Sequence, residues 1–150
     1  MPLRPATPAD VERVRAVAEA AYRPYVAEIG RKPAPMIADF AAAQAAGSLY
    51  VLETAAGIQA YIHLYPKGAA LHIENLAVDP QARRQGLAGQ LLAFAEAEAG
   101  RRGIALLDLY TNEAMREAQA LYAAKGFAEV DRRVEAGFRR IYLQRAVKVT

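Results

Sequence analysis

The chain has 150 residues, 54% of them hydrophobic types, and a formal net charge of +3, which suits one folded domain and excludes a disordered chain. It has no cysteine, so disulfides, thiolate metal sites and cysteine nucleophiles are excluded. Its two histidines lie in no carboxylate cluster with metal-ligand spacing, and we expect no metal. No apolar run approaches the roughly 20 residues of a membrane span, and the N-terminus has no apolar signal segment. We therefore expect a cytoplasmic protein that does not use a membrane.

Hydrophobic periodicity and turn residues predict a mixed α/β chain. Thr7-Pro8-Ala9-Asp10 is typical of a helix start, and Gly47, Gly103 and Gly126 are placed to end helices. In chain order, the predicted elements are a strand at 3–6, a helix ending near Tyr22, a helix at 36–46, strands at 49–53, 58–64 and 71–78, a helix at 86–102, a strand at 104–110, a helix at 114–125, and strands at 128–134 and 138–145.

The arginines occur partly as doublets that are scattered along the chain. A phosphate-bearing small ligand accounts for them as well as nucleic acid does. The chain has no basic run and no basic strand interleaved with aromatic residues, which weighs against a nucleic-acid partner. The doublets are Arg83-Arg84, Arg101-Arg102, Arg132-Arg133 and Arg139-Arg140.

The most informative stretch runs from Ala77 to Gly89, where a predicted strand leads through two arginines into a helix that begins Gly-Leu-Ala-Gly. Small residues in a first helical turn let a ligand approach the free backbone N–H groups, and the helix dipole favours an anion there. The arginines add charge and forked donors for phosphate oxygens. An ordinary strand-loop-helix with solvated arginines is the alternative. The stretch contains neither Gly-Lys-Ser/Thr nor Gly-x-Gly-x-x-Gly, so it is not a standard nucleotide loop.

Two ordered motifs resemble a known family. Arg83-x-x-Gly86-x-Ala88, directly after Leu76-Ala77-Val78, resembles the acyl-CoA signature of the GNAT superfamily of N-acetyltransferases. Ala118-x-x-Leu121-Tyr122-x-x-x-Gly126-Phe127 resembles the second family motif, and residues 3–10 are similar to the usual family opening. The resemblance covers nearly the whole chain. It implies a single N-acetyltransferase domain over residues 1–150, with an α/β fold whose twisted, mixed, mostly antiparallel sheet has six to seven strands and helices on both faces.

The resemblance also implies acetyl-CoA as co-substrate, without a metal. The strand at 76–78 would offer backbone groups to the pantetheine arm, and the N–H groups of residues 84–89 would hold the pyrophosphate. Asn112 would bond pantetheine or substrate amides, although the family more often has an asparagine where this chain has Met115. The cofactor-binding residues implied are Leu76, Ala77, Val78, Arg83, Arg84, Gln85, Gly86, Leu87, Ala88, Gly89, Asn112 and Ala118.

Three residues are candidates for proton transfer. Tyr122 lies where the family usually has a tyrosine near the acyl-CoA sulfur, so it would protonate the departing thiolate, with a packing role as the alternative. An amine with a pKa near 10 must lose a proton before it attacks a thioester. Alternation along the strand puts His72 and Glu74 on one face, so either is a candidate base, directly or through water. We also expect His63 and Tyr61 to line that pocket.

The resemblance therefore predicts transfer of an acetyl group from acetyl-CoA to a primary amine of a small molecule or peptide. Direct attack in a ternary complex is expected, since there is no cysteine nucleophile. The alternative is a catalytically silent acyl-CoA-binding sensor or regulatory protein on the same fold. In this family, substrate choice depends largely on the first two helices and the segment between them, here Tyr22 to Met36. We expect a monomer or a homodimer.

Overall fold

A computed structural model describes residues 3–150, which contain seven β-strands and five α-helices. The strands are β1 (Leu3–Pro5), β2 (Leu49–Thr54), β3 (Gly57–Lys67), β4 (Ala70–Val78), β5 (Leu106–Asn112), β6 (Ala128–Glu135) and β7 (Phe138–Ala146). The helices are α1 (Val11–Tyr22), α2 (Val26–Ile29), α3 (Phe40–Ala45), α4 (Leu87–Arg101) and α5 (Arg116–Ala124). Among the described residues, no helix has the length and apolar character needed to cross a bilayer.

The strands form one sheet in the order β1-β2-β3-β4-β5-β7-β6, which confirms the predicted mixed sheet of six to seven strands. The pairs β1–β2, β2–β3, β5–β7 and β6–β7 are antiparallel. β4 and β5 are parallel, and α4 lies between them in sequence, as a parallel pair requires a crossover connection. Their pairing covers Leu71–Ile73 of β4, while the strand itself continues to Val78.

The chain divides into two compact units. The first holds the chain through Leu64 together with Asn75–Phe94, and the second holds Tyr65–Glu74 and Ala95–Thr150. In the first unit, the stripe predicted for α1 is buried in a cluster with residues of β2, β3 and α3. Removal of this apolar surface from water is the main stabilising contribution of such a cluster. The stripe consists of Val11, Val14, Val17 and Ala18.

The second unit is built on β5, β7 and β6. Leu107 and Leu109 of β5 are buried, as are Ile141 and Leu143 of β7, and they alternate with more exposed residues as expected for strands with one covered face. β6 is the last strand of the sheet and is exposed along nearly all of its length. Its pairing with β7 shifts register between Glu129 and Asp131, which is a β-bulge.

The predicted helix at 36–46 is wrong at its start. Residues 34–37 form a 3₁₀ turn, Ala38 is extended, and α3 begins only at Phe40. The cause is an N-cap that the prediction missed, because the Asp39 carboxylate accepts a hydrogen bond from the Ala42 N–H at 3.0 Å. The helices predicted to start at 86 and 114 begin at Leu87 and Arg116.

Candidate functional site

The segment between β4 and α4 has an unusual backbone. Asp79 is followed by a 3₁₀ turn, Pro80–Ala82, and then by two residues with positive φ, Arg84 at 65° and Gly86 at 74°. A positive φ is common for glycine but uncommon for arginine. Arg83, Arg84 and Gly86 are exposed, and a Cβ atom placed on Gly86 would meet no atom within 4 Å. The loop therefore presents arginine side chains and open backbone at the start of α4.

Asp79 anchors the start of this loop within the first unit. One of its oxygens accepts from the Gln81 N–H at 2.9 Å, and the other pairs with Arg13 Nη2 at 2.8 Å. Arg13 also donates from Nε to the carbonyl of Ile58 at 2.9 Å, so helix α1 and strand β3 both hold the loop. Burial alone would raise the pKa of Asp79, but the Gln81 N–H and Arg13 outweigh it and lower that pKa.

The end of β4 makes side-chain bonds in the same unit. Tyr22 donates its hydroxyl to the carbonyl of Leu76 at 2.7 Å, and Tyr61 donates to Asn75 Oδ1 at 2.8 Å. Tyr61 is fully buried and packs edge-on against Phe40 in the core cluster, so the expectation that it lines a pocket is wrong. Its aromatic ring contributes to the core and its hydroxyl is satisfied by the buried asparagine. His63 lies in this unit opposite Leu49 of β2.

The second unit contains a cavity of about 510 Å³. Two of the predicted catalytic residues, His72 and Glu74, line it from β4, and Asp108 and Tyr110 line it from β5. The remaining lining combines charges of both signs with apolar and polar groups. These residues are Lys67, Leu109, Val130, Asp131, Arg133, Glu135, Arg140, Tyr142, Leu143 and Gln144.

His72 lies at the centre of a cluster of acidic and phenolic groups. Its Nδ1 is 2.6 Å from Asp108 Oδ1, and its Nε2 is 3.7 Å from Glu74 Oε2. Glu74 accepts the Tyr65 hydroxyl on Oε1 at 2.8 Å and the Tyr110 hydroxyl on Oε2 at 3.1 Å. Within residues 3–150, no set of three histidine or acidic side chains has an arrangement that would hold a metal ion.

The cluster changes the proton affinities of its members. Burial alone would lower the pKa of His72, but the neighbouring Glu74 and Asp108 carboxylates outweigh it and raise that pKa above 6.5. Burial alone would raise the pKa of Glu74, but His72 and the two tyrosine hydroxyls lower it to about 2. Burial and the Glu74 charge raise the pKa of Tyr110 to about 12. At neutral pH, Glu74 is therefore a carboxylate with little affinity for a proton.

Two arginines of the cavity lining stack on aromatic rings. The Arg140 guanidinium lies 4.2 Å from the centre of the Tyr110 ring, and that of Arg133 lies 4.1 Å from the Tyr142 ring. Both arginines pair with Glu135, at 3.3 Å and 3.1 Å respectively. The cavity thus contains the Glu74 carboxylate and also two guanidinium groups that share the Glu135 carboxylate.

Tyr122, the predicted acid, lies on α5 in the second unit. Its side chain is buried against Phe127, with ring centroids 5.8 Å apart, and only 7% of the residue is exposed. Burial raises its pKa above 10, so the hydroxyl keeps its proton at neutral pH. Ala118 lies one turn earlier on the same helix. Asn112 ends β5, and its Oδ1 accepts the Ala114 N–H at 2.9 Å, which closes the turn into α5.

Several residues around His72 are not predictable from the alternation along β4. Alternation along β4 identified His72 and Glu74 as neighbours on one face, but Asp108 and Tyr110 line the cavity from β5, and Tyr65 of β3 bonds Glu74. The signal for Asp108 and Tyr110 was available in the alternating pattern of β5, where they lie two positions apart. Their pairing with β4, however, depends on the strand register, which sequence periodicity does not specify.

Comparison with known proteins gives consistent results. Residues 45–129 match the sequence model described as an acetyltransferase (GNAT) domain. A 67-residue stretch is 37% identical to the aminoalkylphosphonate N-acetyltransferase of Salmonella typhimurium, and it spans 45% of this chain and 44% of that protein. This match therefore covers less than half of the relative's length.

Solved structures of low sequence identity share the fold. The ribosomal-protein-S18-alanine N-acetyltransferase of Escherichia coli has a TM-score of 0.78 at 22% identity, with 99% of this chain and 94% of that chain covered. The PaiA N-acetyltransferase of Thermoplasma acidophilum, solved in complex with coenzyme A, has a TM-score of 0.80 at 14% identity, with 96% and 97% covered. Because the matched domain takes up more than half of the 150 residues, the chain belongs to the GNAT acetyltransferase family.

Proposed function

We propose that this protein transfers an acetyl group from acetyl-CoA to a primary amine of a small molecule or peptide, by direct attack in a ternary complex. The observation that carries the proposal is the match of residues 45–129 to an acetyltransferase domain. The cavity beside His72 and Glu74 supports it, because it offers negative charge to an incoming ammonium group.

The loop between β4 and α4 fits the phosphates of the co-substrate. Gly86 leaves open space where a side chain would stand, and Arg83 and Arg84 are exposed beside it. The first N–H groups of α4 have no partner within the helix, so they are available to an anion. In this proposal the two arginines bind phosphate oxygens, and the backbone from Arg84 to Gly89 holds the pyrophosphate. Leu76 to Val78 offer backbone groups to the pantetheine arm.

The proposed reaction needs one group that donates a proton and one that accepts a proton. Tyr122 is proposed to donate its proton to the departing CoA thiolate, since its hydroxyl is protonated at neutral pH. His72 or Glu74, directly or through water, takes the proton from the substrate ammonium. Asn112 and Ala118 are proposed to lie along the co-substrate, and a backbone N–H near Leu76 to Val78 stabilises the tetrahedral oxyanion.

Within this proposal, aminoalkylphosphonates are the first acceptors to test. The relative in Salmonella typhimurium is named for them, and the cavity carries cationic side chains as well as its acidic cluster. A phosphonate would compete with Glu135 for Arg133 and Arg140, while the ammonium group faces Glu74. An alkylamine of the same chain length is the matched control, and we expect it to be acetylated less efficiently, with a higher KM.

Co-substrate binding is tested by thermal unfolding with CoA and acetyl-CoA. A ligand at 100 times its Kd stabilises the folded state by about 2.7 kcal/mol, which raises the Tm of a chain of this size by several degrees. 3′-Dephospho-CoA should stabilise the protein almost as much if the pyrophosphate dominates binding. No shift at millimolar CoA or acetyl-CoA would overturn the proposal.

Turnover is tested by screening amines, amino acids and peptides with acetyl-CoA and measuring the free thiol that each transfer releases. Release of CoA that depends on a particular amine supports the enzyme. Tight CoA binding without turnover on any amine would favour the silent acyl-CoA sensor instead.

A further inference from the structure

The His72 ring is buried, and only one of its two nitrogens has a hydrogen-bond partner. Only 6% of its side chain is exposed, and Asp108 lies opposite it in the parallel register of β4 and β5. Asp108 Oδ1 is 2.6 Å from Nδ1, whereas Nε2 is buried and has no hydrogen-bond partner. Buried polar atoms nearly always have a hydrogen-bond partner. The unpaired Nε2 of this cavity-lining residue therefore indicates a binding partner in the cavity.

The carboxylate at Nδ1 determines where the neutral ring carries its proton. A carboxylate only accepts hydrogen bonds, so Nδ1 must be the protonated nitrogen of the neutral imidazole. Nε2 then carries the lone pair. The same arrangement of carboxylate and imidazole orients the ring and increases the basicity of the distal nitrogen in other protein sites.

Glu74 is less suited to accept a proton. Each of its oxygens already accepts a tyrosine hydroxyl, and the pKa of the group is about 2. A general base works best when its pKa lies near the operating pH. Glu74 Oε2 is 3.7 Å from His72 Nε2, beyond hydrogen-bond distance but close enough to attract positive charge at that nitrogen.

We propose that His72 Nε2 accepts the proton from the substrate ammonium, that Asp108 is the positioning residue that holds the ring for this step, and that Glu74 attracts the cation without taking its proton. The inference rests on the proposed acetyl transfer and selects between the two bases left open there. One N–H bond of the ammonium breaks and the proton bonds to Nε2. The electron pair of that bond stays on the amine nitrogen, which attacks the acetyl carbon and moves the carbonyl π pair to oxygen. When the carbonyl re-forms, the C–S bond breaks and the thiolate takes the Tyr122 proton, and the second proton of the amine nitrogen passes to the Tyr122 phenolate. The imidazolium lies between two carboxylates and passes its proton to water when the product leaves.

The step predicts a particular pH dependence. His72 accepts a proton only when it is neutral, so activity rises with pH through its pKa, which its neighbours raise above 6.5. Asp108→Asn keeps the size of the side chain and removes the negative charge, so we expect the acidic limb of kcat/KM to move to lower pH. The titratable groups that contact His72 or line the cavity with it are Glu74 on its own strand, Tyr65 and Lys67 on β3, Asp108 and Tyr110 on β5, Asp131, Arg133 and Glu135 on β6, and Arg140 and Tyr142 on β7.

The kinetic experiment compares pH–rate profiles of the wild type with three variants, using the best amine from the screen. His72→Asn keeps a donor near Asp108 but removes Nε2, so kcat should fall by about 10²-fold or more. Asp108→Asn should lower kcat at least tenfold and shift the acidic limb. Glu74→Gln should mainly raise KM and leave kcat within a few-fold. CoA affinity, measured by titration, should stay the same in all three.

A second measurement needs no turnover. The chain has only two histidines, so His63→Gln leaves a protein whose single imidazole signal in nitrogen NMR belongs to His72. We expect neutral His72 to carry its proton on Nδ1, and Asp108→Asn in that background to lower the pKa of the ring. His72 with its proton on Nε2, or a pKa unchanged by Asp108→Asn, would overturn the inference.

The outcomes separate the two proposals. A wild type that acetylates an amine while His72→Asn keeps its kcat, or Glu74→Gln loses it, overturns the assignment of His72 and leaves acetyl transfer intact. A wild type that acetylates no amine overturns the proposed function and the proton transfer with it.

Discussion

Tyr122 has a packing role and is also the proposed proton donor. Its ring packs against Phe127 in the second unit, while its hydroxyl has a raised pKa caused by burial alone. A change to phenylalanine removes only the hydroxyl oxygen, so it tests proton donation while it leaves the packing of the ring in place.

We predict that Tyr122→Phe lowers turnover at least tenfold and leaves CoA affinity nearly unchanged. General acid catalysis is typically worth about 10²–10⁴ in rate, and phenylalanine keeps the ring and its packing. Steady-state acetyl transfer and CoA titration measure the two effects. Tyr50→Phe removes a hydroxyl from a residue with no proposed role, so it controls for the loss of a phenol. Equal turnover of Tyr122→Phe and wild type would leave Tyr122 with a packing role only.

Gly86 provides a second test at a single residue. We predict that Gly86→Glu abolishes CoA binding, because it adds negative charge where the phosphates are proposed to bind. Gly103→Glu is the matched control, since Gly103 has φ of 72° against 74° for Gly86 and equally open surroundings. Both variants should lose about 1–2 kcal/mol of stability from a side chain at positive φ. Normal CoA affinity in Gly86→Glu would show that the phosphates bind elsewhere.

Among the elements, α1 supports the loop between β4 and α4 through one arginine. Arg13 bonds both Asp79 and the carbonyl of Ile58, and Asp79 in turn bonds the 3₁₀ turn. We predict that Arg13→Gln lowers the free energy of unfolding by about 1–3 kcal/mol, because hydrogen bonds to charged groups are lost at a partly buried site.

Arg15→Gln is the control for that change. Arg15 lies on the same helix and pairs with Glu12 in an exposed contact, which is worth less than about 1 kcal/mol. Urea unfolding of both variants measures the difference. If the two variants lose the same stability, the Arg13 bonds do not support the loop.

Strand β4 and its surroundings show which features are predictable from the sequence and which are not. Period-two alternation put His72 and Glu74 on one face, and the Arg83–Gly89 motif placed a loop and helix start where the structure has them. Asp108 lies 36 residues after His72, and only the register between β4 and β5 brings the two together. The positive φ of Arg84 also escaped prediction, because arginine carries no preference for that conformation. Local patterns predicted the elements, while contacts between distant strands required the fold.

For the whole molecule, the shifted pKa values predict a stability optimum in weakly acidic solution. Asp10 and Glu74 have folded pKa values of about 2, below their ordinary 3.8 and 4.5, so their contribution is present above those values and is lost as pH falls toward 2. The pKa of His72 is raised above 6.5, so its contribution is present below 6.5 and is lost as pH rises through the folded value.

We therefore expect the Tm to be highest between about pH 5 and 6.5 and to fall on both sides. Thermal unfolding across pH 2–9 measures the profile. His72→Asn should flatten the alkaline side, and His63→Gln serves as the histidine control. An alkaline limb that His72→Asn leaves unchanged would contradict the assignment of that limb to His72.

The bulged and charged outer strand β6 has a consequence for behaviour at high concentration. An unpaired strand edge can recruit another chain and start aggregation, and Val130 and Val134 are both exposed here. The register shift near Glu129 makes the edge of β6 irregular, so another strand cannot pair evenly along it. Most side chains of the strand are also charged. An incoming strand would have to match a broken hydrogen-bond ladder and approach those charges at close range. The edge of β6 is therefore poorly suited to start fibril formation. Its charged side chains also oppose self-association of the protein through Val130 and Val134.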